Sequence, residues 1–176
     1  GVDSAVTAAL LLREGHSVGG ATMALHQYVQ QELDDARQSA ARLGIPFHVF
    51  DWQEAFARLV QKPFREIYQS GGTPNPCVIC NKTVKFGLFL NRALELGYEK
   101  MATGHYARVE YDRGSERYLL LRAKDAAKDQ SYVLYSLSQE RLARVLLPMG
   151  SMTKQEARDI AGALGLAVAH KHDSQD

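Results

Sequence analysis

Four glycines punctuate this chain in the same way. Gly15, Gly44, Gly97 and Gly165 each close an apolar, helix-favouring stretch, and extended apolar runs follow the first three, over residues 17–23, 45–50 and 98–102. Glycine supplies the left-handed residue that stops a helix. Helix followed by strand, repeated, needs crossover helices and therefore parallel strands. The pattern predicts an α/β fold built on a doubly wound parallel sheet.

The helices are visible one by one. Over residues 29–43, Val29, Leu33, Ala36, Ala40 and Leu43 share one face. Over residues 81–96, Phe86, Phe89, Leu90, Ala93 and Leu94 do the same. Thr153-Lys-Gln-Glu156 has the spacing of a capping box and opens a helix running to about Leu164. Residues 107–112 and 117–122 flank Arg-Gly-Ser and read as a β-hairpin. From Asp129 onward the pattern turns helical. The expected division is a catalytic unit over 1–142 and the start of a second unit over 143–176. A helical pattern begins directly after Gly1, so the strand that a doubly wound fold sets before its first helix is expected upstream. The chain is expected to be a fragment at both ends.

With 176 residues, 45% apolar and 23% charged, the chain can bury a core, which excludes disordered and fibrous classes. A net charge of +1 gives no global field for nucleic acid. Residues 82–128 nevertheless carry ten basic side chains against six acidic ones. That excess suits a polyanion, and a solvated surface accounts for it as well. No run nears the ~18 apolar residues of a membrane span, and no signal peptide is visible. Two cysteines exclude a disulfide scaffold and a closed four-cysteine metal site. The expected location is cytoplasmic.

Four strings carry candidate chemistry. Gly1-Val2-Asp3-Ser4 precedes a helix over 5–12. First-turn amides of a helix bind anions, and an ordinary helix cap explains the string too. Thr73-Pro-Asn-Pro-Cys-Val-Ile-Cys-Asn81 is a proline-stiffened loop running into a helix, with Cys77 and Cys80 at C-x-x-C spacing. Thiols at a helix start tend towards thiolate. The pair is a nucleophile with its neighbour, half of a zinc or iron–sulfur site, or two inert core cysteines. Ala102-Thr-Gly-His-Tyr-Ala107 follows a predicted strand, where parallel sheets place ligands. There Gly104 permits close backbone approach, and His105 reaches a phosphate or sugar or is satisfied locally. Lys128-Asp-Gln-Ser-Tyr-Val-Leu-Tyr135 sets polar residues before aromatics, which suits phosphate contact with base stacking, or a capped helix with a buried aromatic face.

In this order and spacing the strings resemble those of the bacterial tRNA-specific 2-thiouridylases, a family of PP-loop ATP pyrophosphatases with the signature Ser-Gly-Gly-x-Asp-Ser. Gly1, Val2, Asp3 and Ser4 match its last four positions. The likeness continues through Gly20-Ala-Thr-Met23, Thr73-Pro-Asn-Pro76, Cys80-Asn81, Lys85-Phe86 and Ala102-Thr-Gly-His-Tyr-Ala-Arg108. It extends through Lys128-Asp-Gln-Ser-Tyr132, Leu137-Ser-Gln139, Leu147-Pro148 and Asp173-Ser-Gln175, and so spans essentially the whole chain. The resemblance implies a Rossmann-like PP-loop domain and a reaction. ATP activates the 2-oxygen of the wobble uridine of tRNA, and sulfur from a cysteine persulfide displaces AMP to leave 2-thiouridine. By match, Gly1, Val2, Asp3 and Ser4 bind ATP phosphates together with Mg2+, and Met23 and Gly104 line the nucleotide pocket. Asn75, Pro76 and Cys77 approach the target base, Cys80 is the catalytic cysteine, and Lys128, Asp129 and Gln130 contact tRNA. The implied sulfur donor is a cysteine desulfurase or a sulfur-relay protein. No membrane partner is implied.

Three features depart from the family. The segment over 25–31 is short. The family's second catalytic cysteine and its C-terminal β-barrel fall past Asp176, so this chain alone is expected not to complete sulfur transfer. Position 77 is cysteine where many members carry aspartate. Cys77, Cys80 and the downstream cysteine would suit a [4Fe–4S] cluster with one open iron; a Cys77–Cys80 disulfide and a passive substitution are the alternatives. Two further functions stay open: a PP-loop transferase acting on a different nucleobase, and a module that only binds ATP or tRNA.

Overall fold

A computed structural model describes residues 1–25 and 30–166. Val29, most of the short 25–31 segment and Asp173-Ser-Gln175 lie outside the described residues. The chain opens with α1 (Val2–Arg13), β1 (Gly20–Ala24), α2 (Gln30–Leu43) and β2 (Phe47–Asp51). In α1, Val2, Ala5, Val6, Ala9, Leu10 and Leu11 are all buried. A helix apolar on nearly every side has to be covered on nearly every side. The glycine stops are where the pattern put them: Gly15, Gly44, Gly97 and Gly165 have φ of 86°, 68°, 88° and 61°. β1 and β2 pair in parallel, from Gly20 opposite Phe47 to Ala24 opposite Asp51.

Residues 53–69 form a helical run that no glycine announced: α3 (Gln53–Phe56), π-helical turns over Ala57–Gln61, and α4 (Lys62–Gln69). The helix whose apolar face is expected over 81–96 begins at the cysteine pair, as the C-x-x-C string suggests. α5 (Pro76–Cys80) leads into π-helical turns over Asn81–Phe89 and then α6 (Leu90–Glu95). The Asn75 side chain accepts from the Val78 N–H at 3.2 Å and Pro76 takes the first helical position, which sets that start. Both cysteines are therefore helical.

β3 (Met101–Ala102) is followed by the expected hairpin, β4 (Ala107–Asp112) with β5 (Arg117–Arg122), paired antiparallel from Ala107 opposite Arg122. From Asp129 the chain turns helical in short pieces, 3-10 turns at Ser131–Val133 and then α7 (Gln139–Leu142). β6 (Val145–Leu146) pairs in parallel with β3, so the pair spans residue 142. α8 (Lys154–Ala163) opens on the expected Thr153–Glu156 capping box.

Two clusters hold these elements. In one, Val2, Val6 and Leu10 of α1 meet Tyr106, Met149 and Ala157. In the other, Phe86 and Leu90 meet Met101, Leu134, Leu142 and Val145. The two parallel pairs flank a cleft of about 840 Å³ whose walls include Gly20, Ala21, Met101 and Ala102, with Ser4 and Ala8 of α1 beside them. At one end Tyr98 closes it: a Cβ on Gly19 would land on the Tyr98 hydroxyl, which lies 3.3 Å from His48 Nε2. Gly104, just past β3, meets the start of α1. The fold is α/β with parallel strands and crossover helices.

Candidate functional site

The N-terminal turn of α1 is where the sequence placed phosphate binding. Its Ser4 hydroxyl donates to the Gly1 carbonyl at 3.0 Å. Gly104 touches this turn so closely that a Cβ there would lie 2.6 Å from Asp3 Cβ and 3.1 Å from the Ser4 nitrogen. The absence of a side chain at 104 is what lets the strand end and the helix start meet. Asp3 is held from two sides: the Tyr106 hydroxyl donates to Oδ1 at 3.0 Å, and Lys154 Nζ lies 2.8 Å from both carboxylate oxygens. Tyr106 is itself clamped. Its N–H donates to Gln130 Oε1 at 3.0 Å, and the Gln130 N–H donates to its carbonyl at 2.8 Å.

The structure therefore brings together Asp3, Ser4, Gly104 and Gln130. Val2 points its side chain into the core with Val6 and Leu10. Met23 stands in β1 opposite Phe50 of β2. Tyr106 and Lys154 were missed. Tyr106 lies within the Ala102–Ala107 string, which gives it no chemistry of its own, and Lys154 lies in a string whose spacing speaks only of capping. Position 154 is 151 residues from Asp3, so no local pattern could join them.

The cysteine helix forms a second locus. Cys77 and Cys80, three residues apart in α5, share a helix face, and both are half-buried and not joined in a disulfide. Cys77 packs with Val78 against the Phe86 cluster. Asn75 uses its side-chain oxygen on the cap. Asn81 is 2% exposed, and its Oδ1 has no hydrogen-bond partner among the described residues. Among those residues no group of three or more His, Cys, Asp or Glu side chains is placed to hold a metal ion. Two thiols fall short of the ligand set of a [4Fe–4S] cluster, so the described residues alone do not fit one.

His105 joins the two loci. It is buried, its Nδ1 lies 2.7 Å from the Thr103 hydroxyl, and its ring is 5.8 Å from that of Phe86 on the cysteine helix. Burial, reinforced by the positive charge of Lys85, pushes its pKa from 6.5 down to about 3. The ring is neutral at pH 7 and satisfied locally. In the unfolded chain it takes a proton below 6.5, whereas the folded one stays neutral down to about 3. The stability it contributes is complete above pH 6.5 and lost as pH falls. Unfolding free energy from urea titration is expected to drop by about 2 kcal/mol between pH 6.5 and 5, and His105→Gln is expected to remove most of that slope.

The Lys128 loop presents a third surface. Lys128 is exposed, while the Asp129 carboxylate is turned inward. Burial would raise the Asp129 pKa. Hydrogen bonds from the Ala123 N–H at 2.8 Å and the Ser131 hydroxyl at 2.7 Å, with the Arg122 charge, outweigh this and lower it. Tyr132 and Tyr135 are 64% and 72% exposed, whereas Val133 and Leu134 between them are buried. The aromatic face is open, as stacking on a base requires, and is not a core face.

All of residues 1–176 match the family described as tRNA methyl transferase HUP domain. A Treponema denticola protein named tRNA-specific 2-thiouridylase MnmA is 48% identical over 185 residues, covering 100% of this chain and 50% of that protein. The protein of the same name from Geobacter metallireducens is 48% identical over 191 residues, covering 100% of this chain and 52% of its own length. That from Acetivibrio thermocellus is 44% identical, with 100% and 53% covered. The chain spans about half the length of these curated relatives. Among the described residues, no helix is long and apolar enough to cross a membrane. The full-length match, on a fold of parallel strands with crossover helices, shows that the chain belongs to the tRNA methyl transferase HUP-domain family.

Proposed function

We propose that this chain carries the ATP-handling and base-handling residues of a tRNA 2-thiouridylase. One observation carries the reading: the loci that such chemistry must couple are physically joined. Asp3 at the α1 start connects through Tyr106 and Gln130 to the Lys128 loop, and Phe86 on the cysteine helix touches His105. The names of the relatives, 44–48% identical, support the same substrate class.

The α1 start suits a polyphosphate. The first-turn amides supply donors, the Ser4 hydroxyl joins them on turning from the Gly1 carbonyl, and the bare Cα of Gly104 lets the chain after β3 pack directly against this turn. Bound Mg2+ would supply charge neutralisation for the phosphates. Asn75, Pro76 and Cys77 face the flipped-out base, and Lys128 with Tyr132 and Tyr135 meets the tRNA backbone and bases. Transfer of AMP to the 2-oxygen of uridine releases pyrophosphate. The terminal sulfur of a carrier persulfide, loaded by a cysteine desulfurase or a sulfur-relay protein, attacks C2, and AMP leaves with that oxygen. The Cys80 thiolate then attacks the sulfur–sulfur bond, which frees 2-thiouridine and leaves a disulfide that an external thiol reduces. The setting is cytoplasmic, where tRNA is modified.

The test uses the full-length protein with ATP, Mg2+, a sulfur donor and unthiolated tRNA, followed by digestion and mass spectrometry. 2-Thiouridine at the wobble position is expected. The family description names methyl transfer instead; a methylated nucleoside and no thiolated one would overturn the reading, as would ATP cleavage without any modified base.

A further inference from the structure

We infer that Lys154 is a positioning residue for Asp3: with Tyr106, it orients the carboxylate and offsets its charge where the phosphates of ATP would be held. The inference rests on the α1 start being the nucleotide site.

Lys154 breaks a local rule. It is the first residue of α8, where the helix dipole disfavours a cation. Its side chain is only 13% exposed, although a lysine at a helix start can reach water freely. Its backbone N–H is occupied elsewhere, donating to Asp125 Oδ2 at 3.2 Å. Neither helix propensity nor solvation accounts for a buried ammonium at that position. Its neighbours do. Nζ lies 2.8 Å from each Asp3 oxygen and 5.7 Å from the Tyr106 ring centroid, so the cation sits between a carboxylate and an aromatic face. Local rules give way most often where a site needs the residue more than the element does.

The consequence is electrostatic. Asp3 alone would set a negative charge among amides that are to receive a polyanion. Two equal contacts from Nζ and one from the Tyr106 hydroxyl offset that charge and fix both oxygens. Without Lys154 the carboxylate repels the polyphosphate and is free to rotate. The effect of removing Lys154 therefore runs through Asp3.

The test is a double-mutant cycle in the full-length protein. Binding of a non-hydrolysable ATP analogue with Mg2+ is measured by calorimetry, and the KM for ATP in AMP formation is measured beside it. Lys154→Met is expected to weaken binding and raise KM by about tenfold, with kcat changed less, and Lys154→Arg to recover most of the loss. In an Asp3→Asn background, Lys154→Met is expected to add almost nothing. Full additivity would overturn the inference, as would unchanged ATP parameters with only a lowered Tm, which marks a strut between α8 and α1. If Lys154→Met fails to fold, Tyr106→Phe runs the same cycle with the same two outcomes. Wild-type protein that binds no ATP would instead overturn the nucleotide site itself.

Discussion

Cys80→Ser in the full-length protein is expected to cut 2-thiouridine formation at least about a thousandfold while leaving ATP affinity within about twofold. The substitution exchanges one atom on a half-buried side chain within a helix whose cap, Asn75 to Val78, and whose core contacts through Phe86 and Leu90 are untouched. The fold should hold. Chemistry should not: a hydroxyl can neither form a sulfur–sulfur bond nor act as a thiolate near neutral pH. Asp3, Ser4 and Gly104, proposed to hold the nucleotide, sit on other elements, so binding and sulfur transfer should separate cleanly. Liquid chromatography with mass spectrometry of digested tRNA gives the first quantity, and calorimetry with an ATP analogue gives the second. Cys77→Ala sharpens the assignment. Cys77 already packs beside Val78 against the Phe86 cluster, so most thiolation should survive its loss. Activity lost with Cys77→Ala but retained by Cys80→Ser would move the sulfur step to the other thiol.

What the sequence made legible divides by range of interaction. The glycine stops, the 107–122 hairpin and the Thr153 capping box depend on neighbours a few residues apart, and all three stand as read. The cysteine pair begins a helix, as its string suggests, but the π-helical turns after Cys80 leave no mark in a pattern whose apolar face starts at Phe86. β6 is two residues long, Val145–Leu146, too short for any period to show, and it exists because β3 offers it a partner. The same holds at the site. Asp3, Ser4 and Gly104 came from strings with recognisable chemistry. Lys154 and Tyr106 enter only through contacts spanning 151 and 103 residues. The sequence around His105 suits a ligand contact and a local bond equally; its Thr103 partner and its burial favour the local bond.

Gly104→Ala is expected to weaken ATP binding by about a hundredfold, through geometry alone. The added methyl carries no charge and reaches no ligand by itself. It would lie 2.6 Å from Asp3 Cβ, 2.9 Å from the Asp3 carbonyl carbon and 3.1 Å from the Ser4 nitrogen. Carbon atoms in contact sit about 3.5–4.0 Å apart, so something must move by about 1 Å. No flexible side-chain end is available to yield, because the atoms met are the backbone and first side-chain carbon of α1. The helix start itself must shift, and with it the amides, the Ser4 hydroxyl and the Asp3 carboxylate. A shift of that size also strains the Tyr106 and Lys154 contacts to Asp3, now 3.0 and 2.8 Å. Overpacking of this kind costs about 1–3 kcal/mol, which lowers Tm but leaves a folded protein to measure. Gly114→Ala is the control: its Cβ would meet Asp112 Oδ1 at 3.6 Å on an exposed turn, an ordinary contact, and it should leave both Tm and ATP affinity unchanged. Equal ATP affinity in Gly104→Ala and wild type would mean that the α1 start does not hold the phosphates.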